Sequence, residues 1–296
     1  MSDPRPIGVF DSGVGGLTVL RELQRQLPHE STIYFADLGH FPYGPRYQAQ
    51  VRTFALNIIR FLEKLDVKLV VIACNTATAA ALNTARELFD IPIIGVITPG
   101  AEAAVAATKN KRVGVISTEG TMQSQEYLHA IREANPTIGV LPKAAPQLVD
   151  LVEAGKSDAP ETETALREAL QDIIDYRADT LILGCTHYPL LTPVIKKITG
   201  DRMTVVDSAE TTAARVKRVL AKNGLESAEA ETVRHQIYVT GSPDRFAEVA
   251  RILFGQDLPP ITTVRLELVE AISGREGPRE RDHDRDRFHR PDPNRA

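Results

Sequence analysis

Short apolar runs alternate with longer amphipathic segments along most of the chain. Ile7–Phe10, Thr32–Phe35, Leu69–Ala73, Ile93–Val96, Arg112–Ile116, Thr180–Leu183, Met203–Val206 and Gln236–Val239 are rich in valine and isoleucine. Each is largely apolar at successive positions, the pattern of strands buried on both faces. Between them the apolar period lengthens. Leu17, Leu20, Leu23 and Leu27 form one helical stripe, and Gln48–Leu65, Ala77–Phe89, Ala101–Thr108, Glu161–Tyr176 and Thr211–Lys222 read the same way. Strand–helix alternation predicts a doubly wound α/β fold with mainly parallel sheets.

The pattern repeats at about 110 residues. IGVFDSGVGG at Ile7 resembles VGVISTEGT at Val113. VVIACNTATAAAL around Cys74 resembles LILGCTHYPLL around Cys185, and IIGVITPGAEAA around Val96 resembles TVVDSAETTAA around Val206. Three matches in the same order predict two pseudo-symmetric α/β domains rather than a solenoid, whose period is shorter. The expected boundaries are 1–97 plus 208–273 for the first domain and 98–207 for the second. The strand–helix pair Gln236–Phe254 then returns to the first domain. The remaining stretch, 274–296, is charged and almost free of apolar residues, so it is expected to be a disordered tail.

Composition narrows the function. The 296 residues carry a formal net charge of −4, which argues against broad electrostatic binding to nucleic acid. Two cysteines make no disulfide framework and suit a reducing cytoplasm. No signal peptide or membrane-spanning apolar run is visible, so a cytoplasmic protein with no membrane partner is expected.

The cysteines carry the chemistry. Each ends an apolar strand and precedes small polar residues: Cys74-Asn75-Thr76 and Cys185-Thr186-His187. Ligands of open α/β sheets bind at such strand ends, and a helix start there favours a carboxylate or a lowered thiol pKa. Inert buried cysteines are the competing reading, but equivalent placement in a repeat favours a cleft with a thiol on either wall. That symmetry suits racemisation, in which one group removes a proton from a carbon and another returns one to the opposite face.

Other residues are more ambiguous. Asp11-Ser12-Gly13-Val14-Gly15-Gly16 opens a helix and can bind an anion, yet its spacing is not the dinucleotide G-x-G-x-x-G, and Asp11 would repel a pyrophosphate. Asp37 stands where a ribose-binding acid would. Phe41-Pro42-Tyr43-Gly44-Pro45-Arg46 reads as a rigid turn. Glu153 lies in a helix-like LVDLVEAG. His187 is a core residue, a thiol partner or a metal ligand; Cys74, Cys185 and His187 make only a weak zinc signal, and no metal is expected.

At these residues the sequence resembles the glutamate racemases of the aspartate/glutamate racemase superfamily. The resemblance runs through GVFDSGVGGLTVLREL, YFADLGHFPYG, ACNTATAAAL, PIIGVITPG and LILGCTHYPLL, over about the first 210 residues. It implies two α/β domains with the active site in the cleft between them, no cofactor, and a homodimer acting on L- and D-glutamate. It makes Cys74 and Cys185 the acid/base pair, Cys74 taking the proton from D-glutamate and Cys185 from L-glutamate. Asp11, Ser12, Tyr43, Gly44, Asn75, Thr76, Thr186 and His187 would contact substrate. Asp11 would serve the Cys74 side, and His187 and Glu153 would assist Cys185. The product would supply peptidoglycan synthesis. An aspartate racemase and a non-catalytic amino-acid binding protein are the alternatives.

Overall fold

Every residue of β1 (Ile7–Asp11) is buried, and all but the terminal Asp11 are apolar. In the computed structural model, which describes residues 2–229, 232–255 and 258–266, β1 lies between β2 (Thr32–Asp37) and β3 (Leu69–Ile72), with β4 (Ile93–Gly95) beyond β3. All these pairings are parallel, and Ile7 stands beside Thr32 on one side and Leu69 on the other. The crossovers are α1 (Leu17–Gln26), α2 (Gln48–Lys64) and α3 (Asn75–Leu88).

A second sheet repeats the arrangement. β5 (Arg112–Ser117) lies between β6 (Gly139–Ala144) and β7 (Thr180–Gly184), with β8 (Thr204–Asp207) beyond β7, all parallel. Both sheets therefore run second–first–third–fourth, so the repeat in sequence is a repeat in topology. The chain passes from the first sheet to the second through α4 (Ile97–Ala107) and back through α10 (Ser208–Asn223), which pack on each other. β9 (His235–Thr240) pairs with β2, and β10 (Ile261–Thr263) with β9, extending the first sheet.

Both faces of each sheet are covered by apolar clusters. Ile7 and Val9 pack on one side of the first sheet, with α1 and α10, while Phe10, Val70 and Ile72 pack on the other with α2 and α3. In the second sheet, Ile116, Leu181 and Leu183 face α7 (Gln147–Glu153), α8 (Pro160–Asp175) and α9 (Thr192–Thr199), while Val113, Val115 and Ile182 face α4 and α6 (Glu126–Ala134). Successive apolar residues are thus required, and each fully buried aliphatic side chain contributes about 1.5–3 kcal/mol.

Some boundaries differ from expectation. α4 starts at Ile97 rather than Ala101, because Pro99 falls in its first turn, where a missing N–H leaves no bond unmade. α10 starts at Ser208, capped by the Asp207 side chain on the Ala209 N–H at 2.8 Å. β6, α5 (Glu119–Ser124), α6, α9 and β10 were not expected. The tail expected over 274–296 lies outside the described residues, as do 267–273 of the expected first domain. Among the described residues no helix is long and apolar enough to cross a membrane.

Candidate active site

The two thiols sit where equivalent strands end. Cys74 follows β3 and is the N-cap of α3, its Sγ accepting the Ala77 N–H at 3.4 Å. Cys185 directly follows β7. In each sheet that strand borders the first one at the point where strand order reverses, and there a crevice opens. Both sulfurs are free and buried, and both line one cavity of about 340 Å³. Ser12, Tyr43, Gly44, Asn75, Thr76, Thr186 and His187 line it with them. Asp11 and Glu153 stand one layer behind the wall.

Asp11 ends β1 fully buried. Its Oδ2 accepts the N–H groups of Gly13 at 3.0 Å and Gly16 at 3.2 Å, and its Oδ1 receives the Thr186 hydroxyl at 3.5 Å. The anion held by this glycine-rich loop is therefore the chain's own carboxylate, which leaves no cradle for a phosphate. Burial pushes the Asp11 carboxyl up, against the pull of His187 and the loop N–H groups. Asp37 is equally engaged, accepting from Tyr43 at 2.5 Å and Thr240 at 2.6 Å, so it is not available to a ribose.

The loop glycines serve close approach. None of Gly13, Gly15 and Gly16 has a positive φ. A Cβ on Gly15 would collide with Thr186 Oγ1 and come within 2.6 Å of the His187 ring. The first half thus presses its turn directly against the segment that carries the second thiol.

Electrostatics differ on the two walls. Burial drives the Cys74 thiol well above its ordinary range, and the Asp11 charge adds to this, only partly offset by the Ala77 N–H. This reverses the expectation that a helix start lowers it: one N–H is outweighed by desolvation and a neighbouring carboxylate. On the other wall, His187 Nδ1 lies 3.8 Å from Cys185 Sγ and Nε2 lies 3.1 Å from Glu153 Oε1. Burial pulls His187 down, but the hydrogen bonds to Cys185 and Glu153 prevail and hold it up at about 10. A cation beside a sulfur stabilises negative charge there.

Hydroxyls tie the walls together. Thr76 Oγ1 lies 2.9 Å from Thr118 Oγ1 and 3.2 Å from Thr121 Oγ1, so α3 and α5 meet through a threonine cluster. Thr118, Glu119, Pro146, Val149 and Asp150 also line the cavity and were not expected to. A signal existed for Thr118: aligning IGVFDS with VGVIST makes it the counterpart of Ser12. Pro146, Val149 and Asp150 follow the unexpected β6 and had none. Among the described residues no three His, Cys, Asp or Glu side chains are grouped to hold a metal ion.

Similarity to known proteins agrees with this geometry. The family described as Asp/Glu/Hydantoin racemase matches residues 7–216. A glutamate racemase of Exiguobacterium sibiricum is 46% identical over 246 residues, 83% of this chain and 91% of that protein. Among solved structures, a glutamate racemase of Bacillus anthracis is 41% identical with a TM-score of 0.84, covering 89% of this chain and 98% of its own. One from Francisella tularensis, in complex with D-glutamate, is 34% identical with a TM-score of 0.84, covering 90% and 99%. Two parallel sheets of repeated order, a thiol at the same strand end of each and a family match over most of the chain lead to one assignment: the protein belongs to the Asp/Glu/Hydantoin racemase family.

Proposed function

We propose that this protein interconverts L- and D-glutamate, with Cys74 and Cys185 acting as acid and base on opposite faces of the α-carbon. One sulfur, as thiolate, takes the α-proton; the electron pair rests on the α-carbon and its carboxylate; the other sulfur, as thiol, returns a proton to the opposite face. The sequence of events inverts the centre, and the protein ends one proton transposed between its two sulfurs. The α-proton of an amino acid is weakly acidic, so donors must meet the developing charge. Thr76 and Thr186 are suited to that task, being polar, buried and on the cavity wall, while Asn75 on the same wall serves substrate binding. His187, with Glu153 behind it, serves Cys185, and Asp11 serves the Cys74 side.

The observation that carries this reading is the pair of buried free thiols, one from each repeat, on a single cavity. Relatives named glutamate racemase at 41–46% identity support glutamate over the shorter aspartate. The same resemblance supports a cytoplasmic homodimer whose product enters peptidoglycan synthesis; light scattering on the eluting protein tests the dimer.

The direct test is exchange at the α-carbon. In deuterium oxide with no added cofactor, both glutamate enantiomers are expected to gain one deuterium at Cα and to racemise. Cys74→Ser and Cys185→Ser are each expected to slow racemisation by about 10²–10⁴-fold while still binding glutamate. Exchange with neither enantiomer would remove the enzyme, and exchange confined to aspartate would change its substrate.

A further inference from the structure

Tyr127 belongs to the cover of the second sheet but reaches into the first half. It lies on α6, is 4% exposed, and its phenol donates to Asn75 Oδ1 at 2.7 Å. Asn75 opens α3 beside Cys74 and lines the thiol cavity. A side-chain amide presents an acceptor on one side and a donor on the other, so a bond that engages one fixes where the other points. Asn75 Nδ2 is buried and has no hydrogen-bond partner among the described residues. Buried donors left unmatched are rare in folded proteins, and one on a cavity wall marks a place for an acceptor.

The phenol is itself enclosed. Ser208, the first residue of α10, lies beside it across Gly100. Gly100 on α4 leaves room for the pair: a Cβ there would come within 3.2 Å of Ser208 Cβ and 3.6 Å of the phenol oxygen. The Tyr127 phenol, donating to Asn75 and bordered by Ser208, draws together the return helix α10, the second half and the first.

We propose that Tyr127 is a positioning residue: by holding Asn75 Oδ1 it turns Nδ2 into the cavity, where the amide donates to a carboxylate of the amino acid between the thiols. The inference rests on the glutamate reading of that cavity. The phenylalanine side chain would fill the same buried space, so the hydroxyl is the atom that matters.

Tyr127→Phe removes that hydroxyl alone. KM for L- and D-glutamate is expected to rise about fivefold, equally for both, with kcat within twofold, since a contact of equal strength in ground and transition states changes binding only. Asn75→Ala raises KM by itself, and adding Tyr127→Phe to it is expected to bring no further loss, because the effect passes through Asn75. An unchanged KM in Tyr127→Phe, or the full fivefold loss persisting without the Asn75 amide, overturns the proposal. A ligand-free readout separates this from failure of the glutamate reading. The Asn75 side-chain NH₂ signals, assigned by their loss in Asn75→Ala, are expected to shift and broaden in Tyr127→Phe; identical signals overturn the proposal whatever the substrate. If Tyr127→Phe does not fold, 3-fluorotyrosine at 127 strengthens the donated bond within the native shape, and Asn75 signals that fail to move overturn it equally.

Discussion

Glu153 meets the thiol cavity through His187: its Oε1 lies 3.1 Å from His187 Nε2, while the other ring nitrogen faces Cys185. In the proposed mechanism the carboxylate therefore serves the sulfur at one remove, by keeping the imidazole charged. Glu153→Gln keeps an acceptor of similar shape and removes the charge. A hydrogen bond to a charged group contributes about 1.5–3 kcal/mol, and a destabilisation of this order is expected near pH 6. The His187 pKa is raised in the folded state to about 10, so the stability it contributes is complete below its ordinary value of 6.5 and is lost as pH rises through 10. Thermal melts of wild type and variant are expected to differ most between pH 5 and 6.5 and to converge towards pH 10. A gap that widens with pH would reject the assignment of charge to His187.

Cys74 gives a linkage of the same sign in a higher pH window. Its thiol keeps its proton in the folded protein far above the ordinary value of 9.0, whereas in the unfolded chain it ionises near that value. The unfolded state then binds fewer protons, and wild type loses stability as pH climbs past about 9. Cys74→Ser has no such ionisation. The melting-temperature difference between wild type and variant should stay level up to about pH 8 and move in the variant's favour above pH 9. A level difference throughout would mean that the folded-state thiol is not raised.

Gly15→Ala tests the contact between the halves. The added methyl meets Thr186 and His187 across the cleft rather than open solvent. Displacing reacting groups by about 1 Å costs on the order of 10²-fold in rate, so kcat/KM is expected to fall by about that factor. Circular dichroism should remain that of the wild type, because the clash lies at the rim of two intact sheets. Activity within threefold of wild type would show that the turn can yield.

Far from the cavity, Lys68 is buried with its Nζ 2.5 Å from Glu30 Oε2, 2.7 Å from the Asp3 carbonyl and 3.0 Å from Ser227 Oγ. This cluster fastens the N-terminal segment and the stretch after α10 to the first sheet. Lys68→Met leaves Glu30 uncompensated and is expected to cost about 3–5 kcal/mol in urea unfolding. Lys68→Met with Glu30→Gln keeps one acceptor oxygen for Ser227 without the buried charge and should recover most of the loss. A double variant as unstable as the single one would point to lost packing instead.

The strands that sequence reveals best are those covered on both faces. β1, β3 and β7 are buried at every position, and their apolar runs leave no other reading. β6 escaped because it is an edge strand of GVLPKA with no fully buried residue and a proline within it. Its loss concealed Pro146, Val149 and Asp150, which follow it onto the cavity wall. The thiols, Asn75, Thr76, Thr186 and His187 were legible because each lies within two residues of a strong strand end or a cysteine. Tyr127 was not, since its role depends on a contact 52 positions away in sequence that no local pattern encodes. The dependence of Cys74 on Asp11 was half legible: their proximity follows from adjacent strands, but the sign of the effect depends on how thoroughly water is excluded.

The repeated strand order has a thermodynamic counterpart. Mirror-image molecules have equal free energies in water, so the equilibrium mixture holds the two hands in equal amounts, and kcat/KM must be the same from either side. Damage to one wall cannot bias the outcome; it slows both directions by one factor. An architecture that copies a half-unit and sets the copies face to face offers either hand a similar wall. Net flow towards one hand then has to be imposed from outside, by whatever reaction removes it.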